Sequence, residues 1–220
     1  MKDKKFKYAL IDLDGTLINS ESGIKRCLKL SLASIGIENV TDQRIKEMIG
    51  PPFRVSMKVF YDLEAEAVDK MLRVYRGQYD IDGWSDIAIY DGIFDLLKAL
   101  KDEGIILAVA TSKPRRFTDK IVEQFGFSPY FSYVGAADAD GINERKSEVI
   151  KSVFENLHIE NPDDVVMIGD TKYDIIGAKE CGIASLGVLW GFGKYEELLA
   201  ADADYILETP NDVARFLLGK

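Results

Sequence analysis

The sequence predicts an α/β protein: a doubly wound parallel sheet with an α-helical block inserted after the first strand. Three observations carry this. The apolar run Tyr8–Ile11 reads as a strand buried on both faces. From about Ser20 to Asp86 every periodic segment is helical. From Asp91 onward, short apolar runs alternate with amphipathic segments, the pattern of a parallel sheet wrapped by helices.

Each element has its own signal. Gly23–Ile35 places Ile24, Cys27, Leu28, Leu32 and Ile35 at helical spacing. Thr41–Ile49 is a second helix with Thr41 as its N-cap, broken by Gly50-Pro51-Pro52. Phe53–Tyr61 and Ala65–Tyr79 continue the helical pattern. Gly92–Glu103 is amphipathic and stops at Gly104, and Ile105–Ala110 is a buried strand. Pro114–Phe125 is a helix opened by proline. Tyr133–Gly135 is a short strand, Lys146–Leu157 a helix and Val165–Ile168 a strand. Tyr173–Cys181 is a helix, Ala184–Leu189 a strand and Glu196–Ala201 a short helix. Tyr205-Ile206 suits an edge strand, and Thr209-Pro210 opens a last helix to Leu218. The expected division is therefore a core of residues 1–19 and 87–220 around a helical insert at 20–86.

At 220 residues and 47% hydrophobic, the chain can bury a full core and carry a small insert. A net charge of −9 argues against nucleic-acid polymers and anionic membranes, which need a basic face. A small phosphorylated metabolite needs only local positive charge, and that is the expected partner. No apolar stretch approaches the ~20 residues that cross a bilayer, and the expected location is cytoplasmic. The pattern leaves monomer and homodimer both open. Cys27 and Cys181 form no Cys-x-x-Cys pair and read as small core residues. His158 follows a helix and reads as a surface or capping group, which leaves histidine-based catalysis without its histidine.

The chemistry gathers at strand ends. Asp12 and Asp14 follow the first strand, and Gly15 lets the backbone turn sharply towards an anion. Two acids beside an amide-lined turn suit a cation set between carboxylates and a bound anion, the arrangement of a Mg²⁺-dependent phosphoryl-transfer site. The same residues also suit a plain polar turn. Thr111-Ser112 ends a strand before a helix, which suits an anion pocket or simple capping by Ser112. Asp170 and Asp174 lie four apart after another strand and share a face if a helix starts between them; capping explains one of them. Lys146 opposes the dipole of the helix it opens, which hints at a functional reason. A solvated lysine, or Arg145 in the same role, stays open. The Gly191-Phe192-Gly193 loop lacks the dinucleotide-binding spacing.

Asp12-Leu13-Asp14-Gly15-Thr16-Leu17, then Thr111-Ser112, then Lys146, then Gly169-Asp170 with Asp174, resembles the four ordered motifs of the haloacid dehalogenase superfamily. The resemblance covers nearly the whole chain. It implies a Rossmann-like core, with the helical insert as a cap over the site. It implies that Asp12 is the nucleophile and forms an aspartyl-phosphate. Mg²⁺ would be held by Asp12, Asp170 and the backbone carbonyl of Asp14, with Asp174 orienting one of its waters. Asp14 would act as general acid and then base, while Thr111, Ser112 and Lys146 would bind the phosphoryl group.

Within the superfamily, Asp14 argues against dehalogenases, which lack the second acid. Ile24 stands where mutases carry a cap histidine, which lowers the phosphomutase alternative. A non-catalytic phosphate-sensing protein is the third reading, disfavoured because every motif acid is present. The stretches Ile49–Pro52, Ala110–Pro114 and Gly187–Gly193 look most like the phosphoglycolate phosphatase and 5′-nucleotidase-like branch. In that branch a cap loop reads the leaving group, which points to Pro51, Pro52, Phe53 and Arg54. The bland alternative is that Gly50-Pro51-Pro52 is only a helix breaker.

Overall fold

A computed structural model of the protein describes residues 6–49, 53–138 and 145–220. In chain order the elements are β1 (Tyr8–Ile11), β2 (Ile18–Asn19), α1 (Glu21–Ala33), α2 (Asp42–Glu47), α3 (Phe53–Tyr61), α4 (Ala65–Gln78) and β3 (Ala88–Ile89). They continue with α5 (Ile93–Asp102), β4 (Ile106–Pro114), α6 (Arg115–Gln124), β5 (Tyr133–Ala137) and α7 (Lys146–Leu157). The chain closes with β6 (Val165–Gly169), α8 (Lys172–Glu180), β7 (Ala184–Val188), α9 (Tyr195–Ala200), β8 (Tyr205–Leu207) and α10 (Pro210–Leu218). Two compact units result: one is the chain to Ile18 with Ile89–Lys220, the other Asn19–Ala88.

The larger unit is a six-stranded sheet in the order β5-β4-β1-β6-β7-β8, parallel at every pairing. β1 lies between β4 and β6, with Leu10 level with Ala108 and Met167. Leu10 and Ile11 are at most 1% exposed, so displacing β1 would forfeit roughly 1.5–3 kcal/mol for each. That burial fixes where the chain leaves the apolar sheet, one residue on, at Asp12. The Asp12 N–H still donates to the Ile168 carbonyl at 2.9 Å, so its backbone stays tied to β6. On one face of the sheet Val149, Ile150 and Val153 of α7 pack with Leu10, Ala110 and Met167. This packing anchors the helix that Lys146 opens.

β4 extends beyond the expected end at Ala110 and runs to Pro114, with irregular pairing to β5 between Thr111 and Pro114. Pro114 is therefore the residue before α6, in an extended conformation, rather than its first turn. His158 is exposed and ends α7 in the left-handed conformation, with φ 51°. Residues 139–144, which lie between β5 and α7 in the chain, are outside the described residues.

The smaller unit has its own core. Leu28 and Leu32 of α1 pack with Ile45, Met57, Val68 and Met71. The Ser31 hydroxyl donates to the Met71 carbonyl at 2.6 Å, tying α1 to α4. A π-helical turn at Tyr79–Gly83 follows α4, where the sequence pattern shows only continuing helix. The short strands β2 and β3 pair as a two-stranded ribbon where the chain passes between the units. Among the described residues no helix is long and apolar enough to cross a membrane.

Candidate active site

Parallel strands bring their C-terminal ends together at one edge of the sheet, the edge where ligands bind in open α/β sheets. Asp12 leaves β1 there, Thr111–Lys113 end β4, and Asp170 leaves β6. Lys146 opens α7, and Asp174 lies in the first turn of α8.

Asp12, Asp170 and Asp174 are all buried, with one oxygen of each within 4.8 Å of the others. Lys146 Nζ donates to Asp12 Oδ1 at 2.7 Å and to the Ala110 carbonyl at 2.8 Å. It also stands 2.7 Å from Asp174 Oδ1 as an ion pair. With all three carboxyls ionised, one ammonium would leave two negative charges unmatched in a buried site, and that excess favours the protonated acids. Burial pushes Asp12 up to about 6, with Lys146 pulling the other way and Asp174 adding to the rise. Burial likewise pushes Asp170 up to about 8, reinforced by the charges of Asp174 and Asp12. Burial works to lower Lys146, but Asp12 and Asp174 more than offset it and hold the ammonium above the ordinary lysine value.

The remaining oxygens are fixed from behind. Asp174 Oδ2 accepts from the Thr171 N–H at 3.0 Å and the Thr171 hydroxyl at 2.8 Å, a capping box on α8. Capping thus occupies one oxygen of Asp174. The other, Oδ1, is buried in the cluster and faces the Lys146 ammonium. Asp170 Oδ1 accepts from the Thr16 hydroxyl at 3.2 Å. Its Oδ2 accepts from the backbone N–H groups of Phe192 at 2.8 Å and Gly193 at 3.4 Å. The backbone crowds this residue: a Cβ at Gly15, where φ is +84°, would stand 2.2 Å from Asp170 Oδ2. A Cβ at Gly193 would stand 1.7 Å from the Asp170 carbonyl oxygen. Trp190 Nε1–H donates to the Thr16 carbonyl at 2.9 Å, which ties this loop to the turn after β1.

Thr111 is buried and Ser112 exposed. The Thr111 hydroxyl accepts from the Lys113 N–H at 3.2 Å. Asp14 is half-buried, and its carboxylate is not part of the three-acid cluster. Lys113 Nζ donates to both of its oxygens, at 3.1 and 2.9 Å. Sequence reasoning assigned no role to Lys113 or the amides of the 191–193 loop, and it read Thr16 as a hydroxyl and N–H of the turn rather than as a partner of Asp170. The signal for Lys113 was strand alternation, since it shares a face with Thr111 once β4 is read through to Pro114. Pro51 and Pro52 lie outside the described residues. Phe53 and Arg54 open α3, and their side chains are likewise undescribed.

The three acids offer only oxygen, the donor type that suits a hard divalent cation, and the excess charge of the ionised acids is what such a cation would neutralise. Asp174 Oδ1, buried in the cluster 2.7 Å from the Lys146 ammonium, is a further oxygen that suits an ion or one of its waters. Fold and site together define a class: α/β proteins that gather buried carboxylates at the ends of parallel strands.

The family model for haloacid dehalogenase-like hydrolases matches residues 9–188, and the chain belongs to that family. A 5′-nucleotidase from Pseudomonas aeruginosa is 34% identical, covering 91% of each chain. A phosphoglycolate phosphatase from Vibrio vulnificus is 27% identical, covering 95% of each. The tyrosine-protein kinase PtkA of Mycobacterium tuberculosis is 31% identical over 94% of this chain and 67% of its own. Among solved structures, a predicted phosphatase from Clostridium acetobutylicum superposes with a TM-score of 0.90 at 38% identity, covering 98% of this chain and 99% of that one. The chain is a family hydrolase, and its phosphatase-named relatives agree with phosphoric monoester hydrolysis.

Proposed function

We propose that the chain is a Mg²⁺-dependent phosphatase that hydrolyses a small phosphomonoester through an aspartyl-phosphate. Nucleoside 5′-monophosphates are the first substrate class and phosphoglycolate the second. The observation that carries the reading is Asp12: its Oδ1 is held at 2.7 Å by Lys146 inside a cluster of three buried acids. Mg²⁺ would be held by the carboxylates of Asp12 and Asp170 and the backbone carbonyl of Asp14, with Asp174 beside it. When bound, the cation offsets the negative charge that otherwise repels a phosphate dianion.

The residues then divide the reaction. Lys146, the Thr111 hydroxyl and the Ser112 N–H hold the phosphoryl oxygens and offset their charge. An Asp12 oxygen attacks phosphorus, and the bond from phosphorus to the ester oxygen breaks. Asp14 gives its proton to that leaving oxygen, releasing the alcohol. Asp14, now a carboxylate, takes a proton from water as the water oxygen attacks phosphorus. The Asp12–phosphorus bond breaks, and phosphate and the free carboxylate return. The helical insert would act as a cap that excludes water and reads the leaving group through Pro51, Pro52, Phe53 and Arg54. A turnover screen over several dozen phosphomonoesters with Mg²⁺ tests this. Activity restricted to nucleotides and phosphoglycolate supports it; no turnover of any monoester overturns it.

A further inference from the structure

We propose that Lys113 is a positioning residue that acts through Asp14, fixing the orientation in which that carboxyl meets the leaving oxygen. The inference rests on the phosphatase reading above, with Asp14 as the acid and base.

The Lys113 side chain is 5% exposed, and burial of an ammonium is costly unless it is paired. Its partner, 99 residues away in sequence, is Asp14, met at both oxygens. A two-point contact fixes the plane of the carboxylate as well as its position. The backbone of Lys113 is itself held at both ends. Its N–H donates to the Thr111 hydroxyl, and its carbonyl accepts from the buried Thr118 hydroxyl, each at 3.2 Å. The residue is thus placed by the strand end and by α6 together.

The two buried lysines of the site divide the acids. Lys146 serves Asp12 and Asp174, inside the cluster. Lys113 serves Asp14, outside it. The Asp14 side chain is 24% exposed, with torsions of its own, and only Leu13 separates it from the first acid of that cluster. The ammonium selects one orientation among those torsions. Near-attack geometry depends on such placement, and small displacements cost rate steeply.

The test is a double-mutant cycle between Lys113→Met and Asp14→Asn, read as single-turnover rates of Asp12 phosphorylation. The substrates are an alkyl phosphate and p-nitrophenyl phosphate. Lys113→Met should slow the alkyl ester about 10- to 100-fold, a part of the whole acid contribution of about 10²–10⁴. It should slow p-nitrophenyl phosphate, which needs little protonation, less than about threefold on the same grounds. Lys113→Arg should recover part of the alkyl rate. In the Asp14→Asn background Lys113→Met should add nothing. Multiplying effects would overturn the proposal, as would equal slowing of both esters or a KM rise with kcat unchanged. Lys113→Gln, which keeps a donor and loses the charge, repeats the cycle if Lys113→Met does not fold. Full alkyl activity in Asp14→Asn alone would instead remove the acid assignment of the proposed function, and the proposal with it.

Discussion

Replacing Asp170 by asparagine should stabilise the metal-free protein at alkaline pH, although it removes a proposed ligand of the cation. Burial raises the Asp170 carboxyl from 3.8 to about 8, with Asp174 and Asp12 adding to the rise. The unfolded chain therefore gives up this proton near pH 4, while the folded chain keeps it to about pH 8. Between those limits the folded state binds the extra proton, so stability falls as pH rises. The contribution is fully present below about pH 4 and lost by about pH 8. A shift of about four units at 1.36 kcal/mol each is on the order of 5 kcal/mol. The asparagine side chain of Asp170→Asn keeps the shape and can still accept from Phe192 and Gly193, without a charge to bury. Urea unfolding with a chelator should show the variant more stable by several kcal/mol at pH 8 and near parity at pH 4.5. Mg²⁺ should reverse the order at pH 8 by stabilising the wild type alone. A variant no more stable than wild type at pH 8 in chelator, or a gap unchanged between the two pH values, would refute the reasoning.

Further outcomes follow from the same site. Chelation should abolish phosphatase turnover and Mg²⁺ restore it; undiminished turnover of a metal-stripped sample would count against the oxygen-ligand reading. Asp12→Asn should abolish both turnover and covalent labelling by phosphate, with an unchanged circular dichroism spectrum. Asp14→Asn should cost roughly 10²–10⁴-fold on alkyl esters and much less on p-nitrophenyl phosphate in the phosphorylation step. Phe53 or Arg54 substitutions should reorder kcat/KM among natural monoesters, while Lys146→Ala should depress all substrates together; the opposite pattern would exchange the two roles.

Much of the core was legible because its signals are local. Lys146–Leu157 and the last helix follow from periodicity and end signals alone, and β1 from an unbroken apolar run. Two-residue strands such as β2 and β3 are too short to show a period. The end of β4 was misplaced because Pro114 reads equally as a helix opener and as the residue before one. The four motifs were legible because each follows a strand, and their convergence then follows from parallel order. What holds them was not. Lys113 meets Asp14 across 99 residues, and the Phe192 amide meets Asp170 across 22. Contacts of this kind leave no trace in spacing. The 191–193 loop failed as a nucleotide motif because its glycines serve close approach to a carboxylate instead.

The excursion from Asn19 to Ala88 begins and ends at one point of the sheet unit. Just inside it, the Tyr90 N–H donates to the Leu17 carbonyl at 3.3 Å, so the two flanks are already stitched together. For the sheet, the excursion is therefore topologically a hairpin, however many residues it contains. Closure entropy grows only by about 0.6 kcal/mol for each doubling of a flexible loop, and less when the loop brings its own fold. Length and sequence between Leu17 and Tyr90 can therefore drift, shrink or be exchanged whole while the acid cluster keeps its frame. Such a seam would let one acid cluster be paired with many different helical inserts.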